Sequence, residues 1–268
     1  MRDYDAGGQG DGEGLDCVWG ENVEILSYGA SLTGSSCVNG DSFYISSDKK
    51  VFVLSDGASG AGENGKTVMS KICVEMAKEF DFSSSNLAPK EYIDCLFYKI
   101  NNRLIEISQN KRHLFYGTII IAIIDEGVLT ITTLGNSPAY IFSCGEVRRL
   151  AKHKQKYEDL VEQGYITRDE YDGYLKHMHE RARGCFEWFM PDVVPPNVIE
   201  EYTLMPEDMI FMCSDGLSDW IKPDSVFGTL ESHGVEDGVN TLLRQAKEIS
   251  FTEKLYYDDI TAIAVHCQ

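Results

Sequence analysis

Three stretches of this sequence are apolar at nearly every position: YGTIIIAII at 116–124, MIFMCS at 209–214 and ITAIAV at 260–265. A strand with one wet face alternates apolar and polar residues. These runs do not alternate, so they read as strands covered on both faces. A sheet built from them needs another layer on each side, and that narrows the fold before anything else does.

The turns mark further strands. DSFYIS and VFVLS flank the polar SDKK and read as a hairpin. VLTITTL follows YGTIIIAII after Asp125-Glu126-Gly127, and EVRRL follows AYIFS after Cys144-Gly145, which are two more hairpin signals. IEEYTL adds a later strand. Helical spacing appears over 65–80, where Val68, Ile72, Cys73, Val74 and Met76 share a broad face. It recurs over 89–109 with Ile93, Leu96, Ile100 and Leu104, and over 235–248 with Val239, Leu242, Leu243 and Ala246. Strands backed by helices give a layered α+β sandwich. A polar, helical insert at about 151–191 interrupts the β pattern and reads as a flap over a site. Residues 1–22 are rich in Gly and Asp without periodicity and read as disordered, which leaves 23–268 as one domain.

Composition sets limits on function. The 268 residues suffice for one large domain with a substantial core. The net charge is −19, which repels nucleic acid and anionic lipid, because phosphate binding needs Lys and Arg. No nucleic-acid or membrane partner is therefore expected. The acidity is compatible with recruiting divalent cations, but by itself it is better read as solubility alone. No apolar run is long enough to span a bilayer, and the first residues lack a signal peptide's apolar core. The eight cysteines show no CxxC pairing, and several lie in apolar runs, as reduced thiols of a cytoplasmic protein would. His177 and His179, two residues apart, face different ways on a helix and read as surface residues.

The chemistry-bearing signal is a repeated placement of carboxylates. VFVLS runs into Asp56-Gly57, MIFMCS runs into Asp215-Gly216, and ITAIAV begins just after Asp258-Asp259. A carboxylate at the end of a buried strand costs several kcal/mol unless it is paired or coordinated. Each Asp-Gly alone is an ordinary turn dipeptide. Three in such positions point instead to an oxygen-rich site for a hard cation.

The same segments, taken in order, resemble the metal-dependent protein phosphatases of the 2C type. VFVLSDGASGAGENG is similar to that family's strand, Asp-Gly and Gly-rich turn. TTLGNSPAYIFSCGEVRRL is similar to its Gly-Asp-Ser-Arg hairpin, and LAKHKQKYEDLVEQGYITRDEY to its flap. EDMIFMCSDGLSDWI and YYDDITAIAV are the most specific matches, and the resemblance spans about 23–268. It implies a four-layer α-β-β-α sandwich, with two central, mostly antiparallel sheets flanked by helices. It implies two Mn2+ or Mg2+ ions and hydrolysis of phosphoserine or phosphothreonine on protein substrates by attack of a metal-activated water. A serine/threonine kinase pathway would be the counterpart. By this resemblance Asp56 bridges both metals, the Gly57 carbonyl binds one, and Asp215 and Asp258 hold the other, with Asp41 as a further contact. Asp56, Asp215 and Asp258 are the expected catalytic set.

The chain departs from the family pattern at several positions. Ser36 stands where a phosphate-binding Arg is expected, and Gly40 where a metal-binding Glu is expected. Ala58 replaces His or Met, and Asn136 replaces an Asp. Lys152-His153-Lys154 replaces Asp-His-Ser in the flap. The second metal is therefore expected to be weakly held, and a glutamate restored at 40 to lower the metal requirement if the backbone follows the family. The alternative is a weakly active or inactive phosphatase-like protein that binds a partner. Glu63 reads as a helix-capping acid, Ser59 and Ser214 as turn serines or ligand-orienting groups, and Trp188, Phe189 and Trp220 as packing residues.

Overall fold

Along β3 (Val51–Gly57), Val51 and Val53 face one way and Phe52 and Leu54 the other, and all four are buried. The computed structural model describes residues 23–36, 38–57, 63–111, 115, 117–151, 167–169 and 198–268, with only the backbone at 63–65 and 108–111. The segment expected to be disordered (1–22) and nearly all of the expected flap lie outside the described residues.

Two five-stranded sheets make the centre. The first has the order β2 (Asp41–Ile45), β3, β4 (Gly117–Asp125), β5 (Val128–Leu134) and β8 (Glu200–Thr203). The second has the order β1 (Ile25–Leu32), β10 (Ile260–Cys267), β9 (Met209–Cys213), β6 (Ala139–Ser143) and β7 (Glu146–Leu150). Every pairing among the described strands is antiparallel.

Three apolar layers hold the sheets and helices together. Phe52, Leu54, Ile120 and Ile131 of the first sheet pack against Ile141, Met212, Ile263 and Val265 of the second. The outer face of the first sheet, with Val53, Ile119 and Ile121, packs on α1 (Glu63–Glu79) and α3 (Pro89–Lys111) through Met69, Ile72, Ile93, Leu96 and Ile100. A short helix, α2 (Phe82–Ser85), joins those two. The outer face of the second sheet, with Phe211, Ala262 and Ala264, packs on α5 (Pro223–Lys254) through Phe227, Leu230, Val239 and Leu242. Non-alternating strands are thus covered on both faces, and the four layers are those expected. Each fully buried aliphatic or aromatic side chain contributes about 1.5–3 kcal/mol.

The expected turns have the geometry that hairpins favour. Glu126 and Gly127 have φ of 47° and 78°, and Cys144 and Gly145 have 51° and 81°. Two successive positive φ values twist with the strands, which is why a two-residue loop suffices at each. Four features lie beyond the sequence reading, two of them the short helix α2 and a single helical turn at Asp215–Ser218. The edge strand β1 has no apolar run, and α5 begins at Pro223, well before the periodic part. The five described cysteines with given state, Cys73, Cys95, Cys144, Cys213 and Cys267, are all free.

Candidate metal centre

The two sheets bring the predicted carboxylates together at one edge. Asp41 opens β2 and lies directly opposite Asp56 near the end of β3, and Asp56 in turn faces Thr118 of β4. In the second sheet, β9 ends at Cys213, and Asp215 opens the single-turn helix α4 (Asp215–Ser218). Asp258 and Asp259 immediately precede β10, which pairs with β9. The Ser214 amide donates to the Thr261 carbonyl at 2.9 Å, and the Thr261 amide donates to Ser214 Oγ at 3.0 Å. That reciprocal pair fixes the start of β10 against the end of β9. Ser214 is therefore an orienting residue of this edge.

The electrostatics show groups that repel one another. Burial, eased by the Thr261 and Ser214 hydroxyls and reinforced by Asp259 and Asp215, pushes the Asp41 carboxyl up to about 7. Burial and then the neighbouring Asp41, Asp215 and Asp258 hold Asp56 well above the usual carboxylate range. Asp215 is pushed up to about 6, by burial first and then by Asp258 and Asp219, against the Asn136 amide. Asp258 is also raised, by burial and Asp259, against the Asp259 amide and Lys66. It stands exposed at the rim, so the protein crowds it on one side only. The expectation of buried strand-end carboxylates thus needs a correction here: the buried member of this pair is Asp259, 4% exposed.

Asp259 has the compensation that the cluster lacks. Its Oδ1 accepts the Gly34 amide at 2.7 Å, and its Oδ2 accepts the Gly40 amide at 2.8 Å and the Lys66 ammonium at 2.9 Å. Lys66 also donates to Ser36 Oγ at 3.0 Å. Burial lowers the Lys66 pKa, but Asp259 more than offsets this, so the ammonium keeps its proton. Neither residue was singled out from the sequence. The available signal was a lysine in the first turn after a Gly-rich loop, facing the paired glycines at 40 and 57. A Cβ on Gly40 would meet Lys66 Cδ at 2.7 Å and the Gly57 carbonyl oxygen at 3.0 Å. The lysine stem therefore fills the room in which a side chain at 40 would begin.

Other predicted positions also find their place. Gly57 is buried beside Asp56, and a Cβ there would lie 1.9 Å from the Lys66 carbonyl oxygen. Asn136 Nδ2 donates to Asp215 Oδ2 at 2.9 Å, so the amide at this position orients a carboxylate of the cluster. Trp220 packs on the α5 layer with the Lys254 ammonium 4.3 Å from its ring centre. Ala58, Ser59, Lys152, His153, Lys154, His177, His179, Trp188 and Phe189 lie outside the described residues, as does the Glu63 side chain.

The donor set suits a hard divalent cation. Asp41 Oδ2 is buried and has no hydrogen-bond partner. Its neighbours Asp56, Asp215 and Asp258 are oxygen donors; Asp215 and Asp258 raise Asp56, and Asp258 raises Asp215, a strain that a proton or a cation relieves. Among the described residues, no group of three or more Asp, Glu, His or Cys side chains stands arranged to hold a metal ion.

Solved structures share the whole architecture. The serine/threonine phosphatase PstP/Ppp of Mycobacterium tuberculosis aligns with a TM-score of 0.74 at 20% identity, over 91% of this chain and 98% of that one. The chain has the fold of the PPM-type serine/threonine phosphatases. Stp1 from Staphylococcus aureus aligns at 0.69 with 21% identity, over 96% and 99% of the two chains. The S. agalactiae serine/threonine phosphatase aligns at 0.73 with 17% identity, over 91% and 100%. The PstP catalytic domain, TM-score 0.72 and 20% identity over 91% and 98% of the chains, was solved in complex with two manganese ions. No family model matches the sequence, and no curated protein matches it. The PPM-type fold is thus shared at identities where sequence comparison alone does not connect the chains.

Proposed function

We propose that this chain is a metal-dependent phosphatase that hydrolyses phosphoserine and phosphothreonine on protein substrates. The observation that carries this reading is the cluster of Asp41, Asp56, Asp215 and Asp258 at one sheet edge, with a buried, unpartnered Asp41 oxygen. Asp56, Asp215, Asp258, Asp41 and the Gly57 carbonyl would hold Mn2+ or Mg2+. When bound, such metals lower the pKa of water toward neutrality and offset charge on phosphoryl oxygens. The chain's own residues supply the arrangement. Asn136 fixes Asp215, the Ser214–Thr261 pair fixes the strand ends, and Asp258 stands exposed at the rim. Among the described residues no helix is long and apolar enough to cross a membrane. A cytoplasmic setting opposite a serine/threonine kinase completes the proposal.

A second reading is a weakly active relative that serves mainly to bind a partner. The Lys66 stem over Gly40 favours it, because no carboxylate can extend from that position toward a second metal. One assay separates the two. Hydrolysis of p-nitrophenyl phosphate should appear with added Mn2+ and disappear in Asp56→Asn. The second metal being weakly held, activity should climb into high Mn2+ concentrations. Wild type without turnover at any Mn2+ concentration would overturn the phosphatase reading in favour of the second.

A further inference from the structure

The Lys66–Asp259 ion pair has side chains only 7% and 4% exposed, and among the described residues no other ion pair has both partners buried. An ammonium has three N–H donors. Two go to Asp259 Oδ2 and Ser36 Oγ, and the third has no acceptor among the described residues. Asp259 does not depend on the lysine alone, since the Gly34 and Gly40 amides already hold its two oxygens.

A phosphate ester approaching this edge meets four carboxylates, and repulsion must be met by a fixed positive charge as well as by metal. The ammonium of Lys66 pairs with Asp259, the residue next to the rim carboxylate Asp258, and sits against the side chain of Ser36. We propose that Lys66 is a substrate-phosphate anchor, in which the ammonium held between Asp259 and Ser36 donates to a non-bridging phosphoryl oxygen. The ligand's identity rests on the phosphatase reading above. A lysine is a point donor rather than a planar fork, so the contact is a single charged hydrogen bond supplied from α1.

The test is calorimetric titration of inorganic phosphate into the full chain with Mn2+ present. Lys66→Met with Asp259→Asn removes both charges, so no buried carboxylate is left unpaired. This double variant should bind phosphate about tenfold or more weakly, the loss expected for one charged hydrogen bond, while Mn2+ affinity stays that of the wild type. Lys66→Arg, which keeps the charge, should retain phosphate binding. Ser36 is only partly buried, so Ser36→Asp serves if the double variant does not fold. It places a carboxylate on the ammonium and should weaken phosphate binding similarly. A double variant or Ser36→Asp that binds phosphate like wild type would reduce Lys66 to a partner of Asp259, and a wild type that binds no phosphate would overturn the anchor as well. Phosphate binding through Lys66 without ester turnover would uphold the anchor and sink the hydrolase reading.

Discussion

A Cβ at position 40 lies 2.7 Å from Lys66 Cδ and 3.0 Å from the Gly57 carbonyl oxygen. The lysine cannot swing away without breaking the bonds that its ammonium makes to Asp259 and Ser36. Gly40→Glu should therefore destabilise the fold by about 1–3 kcal/mol, as overpacking does, and leave the Mn2+ requirement of phosphate-ester hydrolysis no lower. Thermal unfolding and a Mn2+ titration check both halves, and a stable variant with a lower Mn2+ requirement would show that Lys66 is free to move. Asp41 gives a pH dependence. In the folded, metal-free chain it keeps its proton up to about pH 7, whereas its ordinary value is 3.8. Between those values the unfolded chain binds fewer protons than the folded one, so stability falls as pH rises through this window. The loss from this group is at most about 4 kcal/mol, at 1.36 kcal/mol per unit. Unfolding in EDTA at pH 5 and pH 8 should show the drop, and Asp41→Asn should make it smaller, leaving the part that the raised Asp56 and Asp215 contribute. An unchanged slope in the variant would assign the titration to other carboxylates.

At the scale of elements, α5 is two helices that meet at a sharp bend, with Gly238 of the second lying against Leu230 of the first. Gly234 interrupts it with φ 75° and ψ 177°, a conformation essentially reserved for glycine, and nothing lies within 4 Å of where its Cβ would be. Gly234→Ala should thus cost about 1–3 kcal/mol through the backbone alone, with phosphate-ester turnover at saturating Mn2+ unaffected, since Gly234 takes no part in the carboxylate cluster. A variant as stable as wild type in a denaturant titration would mean that the kink relaxes. The elements legible in the sequence were those with a strong local cause. The apolar runs gave β4, β9 and β10, and Glu126-Gly127 and Cys144-Gly145 gave their hairpins, because positive φ has few residue solutions. β1 escaped notice because its residues are nearly all half-buried along an edge, and no apolar run marks it. The first part of α5 escaped because its buried Val226, Phe227 and Leu230 precede a glycine that ends the periodicity. At the site, Asp56, Asp215 and Asp258 were legible from strand ends. Lys66 and Asp259 were not, because 193 positions separate the pair and only the closed fold brings them together.

For the whole molecule, the order of strands differs from the order of synthesis. The second sheet runs β1, β10, β9, β6, β7, so β10, the last of the described strands in sequence, lies inside it, between β1 and β9. β1 and β10 pair along their full lengths, from Ile25 opposite Cys267 to Leu32 opposite Ile260. Contacts so distant in sequence make folding slow, because loop closure must precede any gain. Until β10 emerges from the ribosome, β1 and the free edge of β9 have no partner, and each is an open template for another chain. Asp258 and Asp259 arrive with that strand. A nascent or prematurely ended chain therefore has neither a closed second sheet nor the clasp on Lys66. Such a chain lacks Asp258 and Asp259 of the candidate metal centre for as long as its strand edges stand open.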